Sequence, residues 1–196
     1  GRASAGGGAG LGLAGAHLLS EKEVLDIARF GASAAWEMCD WEGMGKYVQR
    51  MPVGTVDTCI FKTVLAINDD DYPSALAFIE RARRYVFPEL KSLVAESYNR
   101  AYGTMVKVQV LAELEEVVYY KRTARTDVRG HIRAMWQRRL RGTQKDIMVW
   151  RHILAARKVA LAPASHIATL VEFSALARKS QRLALSLHVL APFLDD

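Results

Sequence analysis

The chain has 196 residues, of which 51% are hydrophobic and 24% are charged, a balance typical of a folded domain or a run of small repeats. The net charge is +6, and the two cysteines, Cys39 and Cys59, are too few for a disulfide-dense secreted scaffold. No apolar run approaches the roughly 20 residues of a transmembrane helix, so we expect a cytoplasmic protein with no membrane span.

Residues 1–19 are rich in glycine and alanine and predict a disordered linker, because they can bury little surface. Gly10, Gly12 and Gly15 match the spacing of a dinucleotide-binding fingerprint. That motif must follow a buried strand, and the preceding GRASAGGGA cannot form one. A signal peptide is not expected either, since the segment has one charge and only a short, glycine-interrupted apolar run.

From Ser20 onward, apolar residues recur at three- and four-residue spacing, which predicts helices throughout. Ser20 and Glu23 form a capping box at the first helix, and Pro73 suits a first helical turn. Pro88 is predicted to end the fourth helix and to begin a long fifth one. The nine predicted helices cover residues 20–39, 43–49, 56–67, 73–86, 89–121, 128–141, 146–161, 163–179 and 181–194.

Three of the predicted interhelical turns share a pattern of small residues before a short polar turn and large apolar residues after it. The small residues that precede these turns are Ala35, Ala66 and Ala175. Small side chains let two helices approach closely, and the large residue fills the space between them. The sequence therefore predicts an all-α fold, an α-solenoid of antiparallel helix pairs in the style of tetratricopeptide repeats.

Few residue groups in the chain suggest chemistry. None of the five histidines has the helical spacing of a zinc site, and both cysteines are interpreted as structural thiols. Glu113 and Glu116 share a helix face and could act as paired carboxylates, but we favour a solvated acidic face that offsets the basic residues after it. No catalytic residues are predicted.

Residues 121–141 carry eight basic side chains and one acid. The net charge of this stretch, +7, exceeds the +6 of the whole chain. Such a stretch could attract nucleic acid or another polyanion. A solvated connector and helix face is the favoured interpretation, because no aromatic residues interleave with the arginines to stack on bases. Nucleic acid is therefore an unlikely partner.

Four further basic residues are predicted at helix starts or interrepeat turns, where free backbone amides could help to bind a phosphate. These are Lys145, Arg178, Lys179 and Arg182. Solvated charge remains the favoured interpretation of this group.

Three stretches carry a resemblance to a known family: ARFGASAAWEMCDWEGM at 28–44, ESYNRAYGTMVKVQVLAELEEVVYYK at 96–121, and RKSQRLALSLHVL at 178–190. The chain resembles the FAT domain of target of rapamycin (TOR) kinases, within the phosphatidylinositol 3-kinase-related family, from about Glu23 to Leu194. The resemblance departs at 122–130, where the connector is richer in arginine. It implies that residues 20–196 are a partial FAT domain.

The resemblance implies a solenoid that curls around a kinase domain and connects it to upstream HEAT repeats. The implied partners are those two regions of the same polypeptide and the subunits of a TOR complex. ATP, magnesium and the catalytic residues would lie outside this chain. The family also has a basic pocket for an inositol polyphosphate, in which Lys145 and Lys179 match two basic positions and Glu172 replaces a lysine.

These observations leave three hypotheses of decreasing support. The first is a non-catalytic scaffold segment of a TOR-type serine/threonine kinase that clamps and regulates the kinase domain in nutrient and growth signalling. The second is a stand-alone helical-repeat adaptor for protein partners. The third is a module that binds RNA or another polyanion through residues 121–141.

Overall fold

The computed structural model describes residues 20–193, so the predicted linker at 1–19 and its glycine motif lie outside the described residues. Within that range the chain is helical, without strands, and the prediction of an all-α fold is confirmed. The α-helices are α1 (Glu21–Met38), α2 (Trp41–Val48), α3 (Val56–Asn68), α4 (Tyr72–Glu96), α5 (Tyr98–Arg122), α6 (Thr126–Arg141), α7 (Ile147–Lys158), α8 (Ile167–Lys179) and α9 (Leu183–Leu190). Short 3₁₀ segments cover Pro163–His166 and Ala191–Phe193.

Three hairpin turns, which join α1 to α2, α3 to α4 and α8 to α9, share one backbone geometry. Each places a non-glycine residue in the left-handed region, with φ of 57° at Cys39, 57° at Asp70 and 60° at Gln181. In each turn the next amide donates to an alanine carbonyl five residues earlier: Asp40 to Ala35 at 2.9 Å, Asp71 to Ala66 at 2.8 Å, and Arg182 to Ala177 at 2.9 Å. This is the hydrogen-bond pattern of a Schellman motif, which reverses the chain after a helix.

The small residues predicted before these turns are correct at Ala35 and Ala66. In the third turn the acceptor is Ala177, two residues later than the predicted Ala175. The first two turns are reinforced by aspartates that cap the next helix, since Asp40 accepts from the Gly43 amide at 2.9 Å and Asp71 from the Ser74 amide at 3.2 Å. Asp40 and Asp71 therefore serve the turn and the helix start together.

Helices α1, α3, α5 and α7 run in one direction and form a layer. The contacts between these helices show that they are parallel, because early residues of one helix meet early residues of the next and late residues meet late ones. Lys107 and Lys121 of α5 meet Asp57 and Ile67 of α3, respectively. Tyr102 and Glu113 of α5 similarly meet Gln144, just before α7, and Arg157 within it. Helices α2 and α4 return antiparallel, which is the arrangement of stacked helix pairs.

The predicted helix break at Pro88 is wrong. Pro88 lies inside α4 on its exposed side, and the break falls at Ser97, whose backbone is extended with φ −164° and ψ 128°. An exposed proline is tolerated because the carbonyl that loses its helical donor faces solvent. The break at Ser97 lets α5 fold back along α4, where Arg83 bonds Glu115 at 2.5 Å and Thr104 bonds Glu89 at 3.2 Å.

Candidate functional site

A buried ion pair joins α5 to α7. The side chain of Glu113 has no exposed area, and that of Arg157 is 3% exposed. The Arg157 guanidinium donates to both carboxylate oxygens of Glu113, at 2.7 and 2.8 Å, and also to the Trp136 carbonyl at 2.8 Å. Gln109 donates to the same carboxylate at 2.8 Å. The expectation that Glu113 lies on a solvated face is therefore wrong.

Glu116 joins the same cluster from the next helical turn of α5. It accepts from the Trp136 indole at 2.6 Å and from both terminal nitrogens of Arg139, at 2.9 and 2.8 Å. Hydrogen bonding to Glu116 raises the pKa of the Arg139 guanidinium. Because each carboxylate is engaged by an arginine, Glu113 and Glu116 fasten helices together and do not offer the open pair that acid–base catalysis needs.

The basic stretch at 121–141 is held largely by partners within the protein. Arg129 donates to the Tyr120 carbonyl at 3.1 Å, and Arg133 to the Tyr120 hydroxyl at 3.0 Å. The other partnered residues are Lys121 with Asp70 at 2.8 Å, Arg125 with Asp127 at 2.7 Å, Arg139 with Glu116, and Arg141 with Glu172 at 2.6 Å. Three of these arginines, Arg129, Arg133 and Arg139, therefore connect α6 to α5, and most of the basic side chains are engaged within the described residues instead of forming one free cationic surface.

A cleft of about 420 Å³ lies where the start of α7 faces the α8–α9 turn. Lys145, Arg151 and Arg182 line it, together with Ser180 and one acid, Asp146, whose carboxylate caps α7 by accepting from the Val149 amide. Lys145 also lies 4.4 Å above the centre of the Trp150 ring, which fixes the direction of its side chain. Of the two predicted polyphosphate residues, Lys145 lines the cleft, whereas Lys179 is exposed beside it, one residue before Ser180.

Two ion pairs of the candidate residues were not predicted from the sequence. Arg151 lines it while also pairing with Glu37 of α1, a contact across 114 residues that no local pattern indicates. Glu172, which stands where the resemblance implies a lysine, pairs with Arg141 at 2.6 Å. Glu172 is therefore engaged by Arg141, and neither residue lines the cleft.

The two cysteines occupy positions that fit a structural role. Cys59 is buried, and burial raises the pKa of its thiol, while Cys39 occupies the left-handed position of the first hairpin turn. Among residues 20–193, no group of three or more His, Cys, Asp or Glu side chains could hold a metal ion. Within the same range, no helix combines the length and apolar character needed to cross a membrane.

The fold and the cross-linked junction define a helical-repeat domain in which buried polar residues of neighbouring helices bind one another. The sequence profile of the FAT domain family matches residues 28–195. The chain therefore belongs to the FAT domain family, as the resemblance in its sequence predicts.

Several relatives of the chain are TOR kinases. The chain is 40% identical over 163 residues to the serine/threonine-protein kinase mTor of Drosophila melanogaster, which covers 83% of this chain and 6% of that protein. It is 37% identical over 182 residues to TOR of Arabidopsis thaliana, covering 82% of this chain and 7% of the relative. It is 36% identical over 171 residues to TOR2 of Saccharomyces cerevisiae, covering 87% of this chain and 7% of the relative. The chain thus spans a small fraction of the length of the relatives it matches.

Proposed function

We propose that this chain is a non-catalytic scaffold segment of a TOR-type serine/threonine kinase, which holds the kinase domain and regulates its activity in nutrient and growth signalling. Its partners would be the kinase domain and HEAT repeats of the same polypeptide and the subunits of a TOR complex. The similarity to a small segment of much longer kinases supports this proposal. The observation that carries the mechanism is the buried Glu113–Arg157 pair, which couples neighbouring units of the array.

A scaffold of this kind works by stiffness. Each helix pair contacts its neighbours, so a displacement at one end can pass along the layer of parallel helices to the other. The junction of α5, α6 and α7 is closely packed, because Trp136 is 1% exposed, bonds Glu116 through its indole and packs against Tyr120 with ring centres 5.6 Å apart. Loosening this junction should change the geometry imposed on a kinase domain.

The test is Trp136→Ala in the full-length kinase that contains this chain. Removing a buried tryptophan costs about 3–5 kcal/mol, so the junction should open locally. Kinase activity toward a peptide substrate should change, while Arg138→Ala, an exposed position on the same helix, should leave the activity as in the parent protein. Parental activity in a Trp136→Ala protein whose junction is shown by hydrogen exchange to have opened would contradict the scaffold mechanism.

We also propose that the cleft beside Lys145 binds an inositol polyphosphate. Lys145 and Arg182 line the cleft, and neither forms an ion pair with another of residues 20–193. A multiply charged phosphate ligand would draw these cations together with the exposed Lys179, since charge-assisted hydrogen bonds are among the stronger ones in proteins.

Titration calorimetry with inositol hexakisphosphate tests this proposal on the 196-residue chain. Lys145→Ala and Lys179→Ala should each weaken binding, and Glu172→Lys should strengthen it by removing an acid and releasing Arg141. The matched control is Lys22→Ala, an exposed lysine on α1. Binding that is absent at low salt, or that is equally affected by the Lys22 variant, would overturn the assignment.

A further inference from the structure

A second cavity lies within the layer of parallel helices; it shares Met148, at the start of α7, with the basic cleft but differs from it in the composition of its lining. It has a volume of about 380 Å³ and is bounded by residues of α1, α3, α5 and α7. Its lining is mostly apolar and includes Phe30, Trp36, Phe61, Tyr102 and Val106. Volumes of roughly 300–1,000 Å³ with apolar linings are typical of small-molecule sites.

Trp36, which lines this cavity, has an indole N–H group without a hydrogen-bond acceptor in the described part of the chain. The residue is 3% exposed, and its ring meets Phe61 edge to face with ring centres 6.1 Å apart. Among residues 20–193 its indole Nε1 is the one buried side-chain nitrogen or oxygen that has no hydrogen-bond partner. A buried donor without an acceptor is unfavourable, so an acceptor that reached this nitrogen would be bound favourably.

The other indoles show that this is not a general property of the chain. Trp136 donates to Glu116 at 2.6 Å, and Trp150 donates to the Gln144 carbonyl at 3.1 Å. Both of these rings are 1% exposed, so burial alone does not leave an indole unpaired in this fold. The unpaired donor belongs to a residue that lines the apolar cavity.

The two cations at this cavity are already paired with carboxylates. Lys107 lies 2.8 Å from Asp57, and Arg29 lies 3.9 Å from Asp57 and 3.7 Å from Asp26. Asp57 is the one carboxylate of the lining and pairs with both cations, while Asp26, the second partner of Arg29, lies outside the lining. Each cation therefore already has a carboxylate partner, which reduces its attraction for an anion. The favoured ligand is therefore uncharged.

We propose that this cavity binds a small, uncharged, mostly apolar molecule that carries a carbonyl or similar acceptor, which takes the indole hydrogen of Trp36. The nitrogen is shielded from solvent in the empty cavity, so binding includes a small rotation of the ring toward the ligand. Nothing in this proposal depends on the scaffold function or on the polyphosphate cleft.

The test compares two probes of nearly the same shape, acetophenone, which has a carbonyl, and α-methylstyrene, which has a methylene group in its place. Proton–nitrogen correlation spectra of the 196-residue chain show one indole signal for each of its four tryptophans. Trp36→Phe assigns the relevant signal. Acetophenone should shift the Trp36 indole signal downfield, as expected for a new hydrogen bond, and α-methylstyrene should bind without that downfield shift.

Two glycine variants give a matched control for the location. Gly103 lines the cavity, and a β-carbon added there meets no heavy atom within 4 Å, so Gly103→Leu can extend over the cavity without a clash. Gly130 on α6 is equally unobstructed but does not line the cavity. Gly103→Leu should weaken acetophenone binding at least about tenfold, which corresponds to 1.4 kcal/mol, and Gly130→Leu should leave it unchanged.

Two results would overturn the proposal. One is a lack of acetophenone binding in the parent chain at millimolar concentration. The other is binding in which the Trp36 indole signal responds in the same way to both probes, because the acceptor would then have no role. The Trp136 and Trp150 indoles, which already have acceptors, serve as internal references in the same spectra.

Discussion

The helix pairs before Ser97 and the junction after it are stabilised in different ways. Within α3 and α4 the buried residues are almost all apolar, and Val64, Ile67, Ala75 and Ile79 have no exposed area. At the junction of α5, α6 and α7 the core includes a fully buried carboxylate, Glu113, and its arginine partner. Truncating an apolar side chain lowers the free energy of unfolding roughly in proportion to the buried area removed. Removing either member of a buried ion pair costs more, because the other charge stays buried without a partner.

The largest expected effect follows from breaking the Glu113–Arg157 pair. Arg157→Ala leaves Glu113 buried without its main donor, and Glu113→Ala leaves the guanidinium unpaired. Each change should lower the free energy of unfolding by about 3–5 kcal/mol, measured by urea denaturation.

The double variant Glu113→Leu with Arg157→Met separates charge from packing. It removes both charges and keeps similar volumes, so its stability should lie within about 1 kcal/mol of the parent chain or exceed it. A double variant that is as unstable as the single ones would show that the hydrogen bonds of the pair, including the one to the Trp136 carbonyl, cannot be replaced by apolar contact.

This difference also decides what the sequence could predict. The apolar periodicity before residue 88 gave correct helices and turns, because local spacing determines which face of a helix is buried. Local pattern could not reveal the burial of Glu113, since its partner lies 44 residues away. The error at Pro88 has a similar origin, because the energy of folding α5 back along α4 outweighs the local preference of proline.

A smaller, stabilising effect is expected at the hairpin turn between α8 and α9. Gln181 has φ of 60°, a conformation that costs an ordinary L-residue about 1 kcal/mol and costs glycine almost nothing. Gln181→Gly should therefore raise the thermal midpoint by about 2 °C, measured by circular dichroism. Gln181→Ala provides the control, because alanine keeps the steric conflict and should not stabilise the turn.

A glycine substitution at the α3–α4 turn allows the strain in the two turns to be compared. Asp70 has the same left-handed conformation but bonds Tyr72 at 2.7 Å and Lys121 at 2.8 Å, so replacing it with glycine removes contacts as well as strain. Asp70→Gly should gain less than Gln181→Gly. An equal gain at both turns would indicate that the contacts of Asp70 add nothing to stability.

The smallest effect concerns pH and His166, which ends the 3₁₀ segment before α8. Burial lowers the pKa of His166, and nearby Arg157 and Lys158 add to the shift, although its Nδ1 lies 3.1 Å from the Ala162 carbonyl. Because the pKa is lower in the folded chain than in the unfolded one, the unfolded chain binds more protons as the pH falls. The associated stability is present above about pH 6.5 and is lost as the pH falls through the folded-state pKa. Thermal midpoints between pH 7.5 and pH 5 should fall less steeply for His166→Gln than for the parent chain, whose other histidines are unchanged, and identical slopes would rule out this contribution.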